Sequence, residues 1–248
     1  MPVAEQVEGA SGPLGVVVAH PSSRPAEDRC LLVCHGLPLT RGGGRTAAGT
    51  LPELADHLAA ESGWVVAACS LSGSGESPGT FSAQRWRDDL AAVVDALVPA
   101  HPRLWLGGFG FGGALALDLA AHDERVRGVA TFATPADLAA WAGSPEQFHA
   151  SVVASGAVDR SVPLEDADAL AKGVYALDPI ASIALVPPRR ILVVHGADDR
   201  IVPVDAARQL VAAALGRAEL RIIQGAGHWL RSDPRMVATL IGWLDRNR

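Results

Sequence analysis

Cysteine is scarce in this chain: Cys30, Cys34 and Cys69 are the three among 248 residues. An odd count without regular spacing excludes a disulfide framework and points to buried, reduced thiols. A basic surplus is also missing, since 21 Lys and Arg stand against 27 Asp and Glu. The net charge of −6 excludes the basic face of a sequence-independent nucleic-acid binder. No uninterrupted apolar run reaches the ~18–20 residues of a membrane span. The opening MPVAEQVEGASG has neither a basic n-region nor an apolar h-region, so it does not read as a signal peptide. The eight histidines show no metal-ligand spacing. The resulting expectation is a soluble, cytoplasmic chain with no metal or other cofactor and no nucleic-acid or membrane partner.

What is present is apolar substance with a regular rhythm. Hydrophobic residues make up 49% of the chain, and its length suits one large α/β domain or two small ones. Strand-like runs at 14–19, 29–36, 64–70, 103–108, 126–134, 189–196 and 218–224 alternate with amphipathic segments. Helices are expected at 49–62, 82–98, 112–123, 204–215 and 234–247. Thr50 is a plausible N-cap for the first, with Pro52 in its first turn. This alternation, with continuously apolar strands, predicts an α/β fold: a mostly parallel sheet with helices on both faces. The run at 14–19 has no helix after it and is expected to pair antiparallel at an edge. Residues 135–188 lack a convincing strand and show helical patches at 135–143, 145–156 and 164–175. They read as a helical lid or cap inserted between two core parts, 1–134 and 189–248. An insertion after a strand's C-terminal end lies on the side where open α/β sheets bind ligands.

The stretch GGFGFGG at 107–113 follows a strand and opens a helix. Gly108, Gly110 and Gly113 fit the dinucleotide fingerprint G-x-G-x-x-G. That reading also needs an acid at the end of the next strand. The next strand ends in FAT, and Asp123 and Glu124 precede it at the wrong end of the sheet. The same stretch fits the nucleophile elbow G-x-S-x-G at every position but one, with Gly110 where serine belongs. An elbow should be followed in chain order by an acid and then a histidine, each on a loop after a later strand. ILVVHG is followed by Asp198 and Asp199, and LRIIQ is followed by His228.

With those residues in place, the chain resembles the α/β-hydrolase superfamily over nearly its whole length. The matching pieces are LLVCHG (31–36), CSLSGSGESPGTF (69–81), GGFGFGG (107–113), HGADDRIVP (195–203) and GAGHWL (225–230). CSLSGSGESPGTF resembles the loop usually written R-G-x-G-x-S, with Ser72 in place of its arginine. HGADDRIVP resembles G-x-x-D-x-x-V-P, which selects Asp199 over Asp198. The resemblance implies His228 as general base and Asp199 as its orienting carboxylate. It implies the backbone N–H groups of Leu37 and Phe111 as an oxyanion hole, and a pocket of His35, Gly36, Phe109 and Trp229. It assigns the nucleophile to Gly110, which has no side chain to attack with.

Substitutes for the nucleophile are weak. Cys34 is expected to point into the core, and Asp137 to sit in a helix's first turn. Ser72, Ser74 and Ser77 read as turn residues, and RGGGR at 41–45 as a flexible loop rather than an anion-binding nest. The main expectation is an esterase-like fold with a pocket for a small acyl or ester-like ligand, weak or absent ester hydrolysis and a retained Asp199–His228 pair. The alternatives are a general-base enzyme acting through water or a substrate proton, and an esterase carrying a Ser→Gly knockout.

Overall fold

The computed structural model describes residues 3–22, 28–44 and 46–247. Among them eight strands form one sheet: β1 (Val3–Gly9), β2 (Gly12–Ala19), β3 (Arg29–Cys34), β4 (Val65–Cys69), β5 (Arg103–Phe109), β6 (Val126–Phe132), β7 (Arg190–Gly196) and β8 (Ala218–Ile223). Their spatial order is β1-β2-β4-β3-β5-β6-β7-β8. The pairings β1–β2 and β2–β4 are antiparallel, and all from β4 to β8 are parallel. Parallel neighbours place their C-terminal ends on one edge, so the loops leaving β3, β5, β6, β7 and β8 converge there.

Continuous apolar runs make β3, β4 and β5 bury both faces, as a sheet covered on two sides requires. One apolar layer packs α1 (Leu51–Ser62) and α9 (Pro234–Asp245) on the sheet through Leu58, Leu240 and Trp243. The opposite layer packs α2 (Ala83–Leu97), α3 (Phe111–His122) and α8 (Asp205–Ala213) through Leu90, Leu117 and Leu210.

Between β6 and β7 lie α4 (Leu138–Ala142), α5 (Pro145–Ser155), α6 (Ala167–Tyr175) and α7 (Pro179–Leu185). A short 3-10 turn at Leu164–Asp166 precedes α6. Local caps define these helices. Asp137 accepts from Ala140 N–H, Ser144 and Gln147 form a capping box, and Asp178 accepts from Ala181 N–H. α4, α5 and α6 pack on one another, whereas α7 packs against α3 and α8.

Five differences from the sequence reading have physical causes. The run at 14–19 is not an edge: β2 pairs on both sides, and the edge strand is β1. VAEQVEG escapes a sequence reading because it is polar and largely exposed, with no apolar face to announce it. The helix α7 escapes it too, as a seven-residue segment behind Asp178. Thr50 precedes α1 but makes no side-chain cap bond, its φ of −106° and ψ of 4° falling outside the extended cap geometry. The described part of the glycine-rich loop, 41–44, is docked rather than free. Gly42 and Gly44 donate N–H bonds to the Ala154 and Ser155 carbonyls at the end of α5. Those N–H groups are therefore unavailable to an anion, and Arg45 lies outside the described residues.

Candidate functional site

The turn between β5 and α3 is built on Gly110, with φ 52° and ψ −121°. L-residues rarely adopt a positive φ here, and glycine does so freely. Its N–H donates to the Phe132 carbonyl at 2.8 Å, and its own carbonyl accepts from Gly113 N–H at 3.0 Å. The neighbouring glycines serve a different end. A Cβ at Gly108 would overlap the Gly112 carbonyl, one at Gly112 would overlap the His35 carbonyl, and one at Gly113 would overlap the Thr134 hydroxyl. A Cβ at Gly110 would meet nothing nearer than His228 Nε2, 3.9 Å away.

His228 follows β8 on the GAGHWL loop, and Asp199 follows β7. His228 Nδ1 lies 2.8 Å from Asp199 Oδ2, and the Asp199 side chain is fully buried. The other carboxylate oxygen accepts 2.9 Å bonds from the N–H groups of Ile201 and Val202. His195, at the end of β7, brings its Nε2 within 3.4 Å of Oδ2. Burial would raise the Asp199 carboxyl, but the bonds from His195, His228 and Val202 N–H outweigh it. They hold the group well below the usual carboxylate range. An ionised Asp199 fixes the proton of neutral His228 on Nδ1 and leaves Nε2 as a lone pair facing the space beside Gly110. Asp198, one residue earlier, is exposed.

A cavity of about 270 Å³ opens beside these groups. Of the residues assigned to it from sequence, Gly36, Leu37, Phe109, Gly110, Phe111, His228 and Trp229 line it. Trp229 stands edge-on to the His228 ring at 5.4 Å and is 56% exposed. The N–H groups of Leu37 and Phe111 donate to no turn or loop carbonyl among the described residues. Phe111 is the first residue of α3, where backbone donors have no intrahelical partner.

His35 does not line the cavity. It is fully buried, accepts Leu71 N–H on Nε2 at 3.0 Å, and has Nδ1 2.9 Å from the Gly36 carbonyl. Accepting on Nε2 places the neutral ring's proton on Nδ1, so His35 braces the turn that presents Leu37. Burial pushes its imidazole down to about 4, against a bond to Gly36 and with help from the charge of Arg231. Cys34 is likewise a core residue: it packs under Gly112, and burial pushes its thiol up to about 12. Such a thiol is a poor source of thiolate. Ser72, Ser74 and Ser77 are buried; Ser77 bonds Gly15 and Ser70, and Ser74 bonds Gly44.

Sequence reasoning misses several lining residues. Trp141 reaches the cavity from α4 and stacks nearly parallel on Phe111, with ring centroids 5.8 Å apart. Thr40, Ala133 and Ile201 belong to loops whose path only the fold reveals. Arg231, three residues after His228, also lines it, and that proximity is the one available signal. Among the described residues no group of three or more His, Cys, Asp or Glu is placed to hold a metal ion. Among them, too, no helix is long and apolar enough to cross a membrane.

The sequence profile of the α/β hydrolase fold matches residues 30–170, more than half of the chain. The chain belongs to this family. Solved structures are similar over nearly its full length. A serine hydrolase without a lid from Xanthomonas campestris is 24% identical, with 99% of this chain and 92% of that one covered and a TM-score of 0.64. An α/β serine hydrolase homologue from Coxiella burnetii is 21% identical, with 99% and 96% covered and a TM-score of 0.64. A meta-cleavage product hydrolase from Pseudomonas fluorescens is 18% identical, with 98% of each chain covered and a TM-score of 0.68. No curated protein matches in sequence. The α/β hydrolase fold thus accounts for the sheet order.

Proposed function

We propose that this member of the α/β hydrolase fold family lacks the nucleophile of its serine-hydrolase relatives and keeps the rest of the site as a ligand pocket. Gly110 takes the nucleophile position, His228 and Asp199 the base and its orienting acid, and the N–H groups of Leu37 and Phe111 the oxyanion donors. Ester hydrolysis is then weak or absent, and the ligand is a small acyl or ester-like molecule. The helical segment from 135 to 188 serves as the cap, chiefly through Trp141. The observation that carries this reading is the space at Gly110. A Cβ there meets only His228 Nε2 at 3.9 Å. A serine oxygen, one bond further out, would fall within the ~2.6–3.2 Å reach of a nucleophile–base pair.

Gly110→Ser tests it directly. Loss of a serine nucleophile costs on the order of 10⁶ in rate, so the serine variant should hydrolyse p-nitrophenyl acetate at least ~10³-fold faster than the native chain. It should also become labelled by a fluorophosphonate probe that leaves the native chain unlabelled. A folded serine variant with no gain, or native activity already at esterase level, refutes the reading.

A further reading is favoured by the intact Asp199–His228 pair, with Nε2 facing open space. A pure binder has no need of that pair. His228 would then take a proton from water or from an acidic substrate C–H, with Leu37 and Phe111 stabilising the oxyanion. His228→Ala should abolish any turnover by the native chain; surviving turnover ends this reading.

A further inference from the structure

Arg231 is the formally charged residue of the cavity lining, in a wall otherwise formed by groups such as Leu37, Phe109, Phe132, Trp141 and Leu230. Its Nη1 donates to the Ala47 carbonyl, and its guanidinium carbon lies 5.9 Å from the centre of the Phe109 ring. Ala47 and Phe109 line the same cavity, so the guanidinium is held in its wall. Among the described residues no carboxylate lies within ion-pair distance of it. The shallow groove on its other side contains Glu53 and Glu61, and neither is paired with it. Four other arginines behave differently: Arg87, Arg125, Arg235 and Arg246 each sit within 2.8 Å of an Asp or Glu oxygen.

A half-buried guanidinium without a counter-charge is costly, and its desolvation lowers the pKa of Arg231 with no acid to offset it. The one protein acceptor it holds is neutral, which leaves most of its five-donor fork free. Packing explains the stem but does not require the charge: a neutral side chain of similar length would fill the same wall.

We propose that Arg231 pairs with a carboxylate on the ligand, so that the pocket selects a small organic anion with an apolar body over its neutral counterpart. This rests on the pocket proposed above. The apolar walls take the body, and the guanidinium takes the carboxylate through charge-assisted N–H bonds.

Phenylacetate and phenylacetamide share a body and differ in charge. Each is titrated into the full chain, with binding followed through the tryptophan indole N–H signals of ¹⁵N-labelled protein. Phenylacetate should bind at least ~10-fold tighter than the amide, as a desolvated charge-assisted pair predicts. In Arg231→Gln and Arg231→Met the ratio should fall to about 1, with amide affinity kept within about twofold. Equal affinities in the native chain overturn the proposal while leaving the pocket standing. A preference that survives both substitutions places the carboxylate elsewhere and also overturns it. Equal loss of both probes in the variants makes Arg231 a structural strut. If neither probe binds the native chain, the pocket itself is misread and this inference falls with it.

Discussion

On one side of the turn after β5, Gly108, Gly112 and Gly113 are clamped against backbone and side-chain atoms of neighbouring segments. On the other, Gly110 faces His228 across open space. The clamped side is sealed. His35 is fully buried, stands edge-on to Trp86 at 4.9 Å, and has its carbonyl against Gly112. The open side leads into the cavity. The same residue type thus answers two demands: close approach at three positions, and a positive φ with room to spare at the fourth. Glycine is obligatory for the first demand and only convenient for the other. The comparison can be broken from either side.

The largest effect is expected on the sealed side. Gly112→Ala drives a Cβ into the His35 carbonyl, and Gly113→Ala drives one into the Thr134 hydroxyl. Neither neighbour can give freely, because the former is backbone on the β3 exit and the latter is a buried side chain. Each substitution should destabilise the protein by at least about 4 kcal/mol, in the range reserved for severe steric or packing defects. Urea denaturation measures this, with failure to express folded protein as the extreme. A loss under about 1 kcal/mol would show that the seal is not tight.

A smaller effect on the same side depends on pH. His35 accepts Leu71 N–H, so protonating its Nε2 would set two donors against each other. Its folded value is pushed down to about 4 from an ordinary 6.5. Between those two values the unfolded chain binds a proton that the folded chain refuses. Stability therefore falls as pH drops from 6.5 to about 4, by on the order of 3 kcal/mol. Asp199 acts in a separate window. Its folded value lies below the ordinary 3.8, so its contribution is complete above 3.8 and fades as pH falls below it. Urea midpoints between pH 7 and 3 should show the two declines in sequence. A flat profile from 6.5 to 4 would mean that His35 is more hydrated than its burial implies.

How much of this is legible in the sequence follows from the range of the forces involved. The parallel core is readable because apolar continuity and period are local signals, and β3, β5 and β7 end where glycine-containing turns begin. That Asp199 and His228 come together is readable because each follows a strand end, and topology alone brings those ends together. The role of His35 is not: its neighbour Gly36 lines the cavity while its own ring turns into the core, a choice made by the Leu71 N–H from β4's loop. β1 escapes because edge strands with polar faces carry no periodic apolar signal. Trp141 escapes because nothing local says that α4 folds back over Phe111. Arg231 escapes because only the fold shows that, among the described residues, no counter-charge meets it.

The smallest effect belongs to the open side and isolates the hydroxyl from the Cβ. Gly110→Ala places a methyl group where nothing lies closer than 3.9 Å, so no clash arises. What remains is the strain of an L-residue at φ 52° and ψ −121°, about 1–3 kcal/mol. Gly110→Ser bears the same backbone strain, and its oxygen adds a hydrogen bond to His228 Nε2 that returns up to about 1 kcal/mol. The two variants should therefore differ little in stability, with serine equal to or slightly above alanine in urea midpoint. They should differ completely in labelling by a fluorophosphonate. If alanine is as damaging as Gly112→Ala, the space beside Gly110 is filled in solution and the two sides of the turn are not different after all. If alanine is tolerated and serine is unlabelled, the geometry is open but His228 does not reach it.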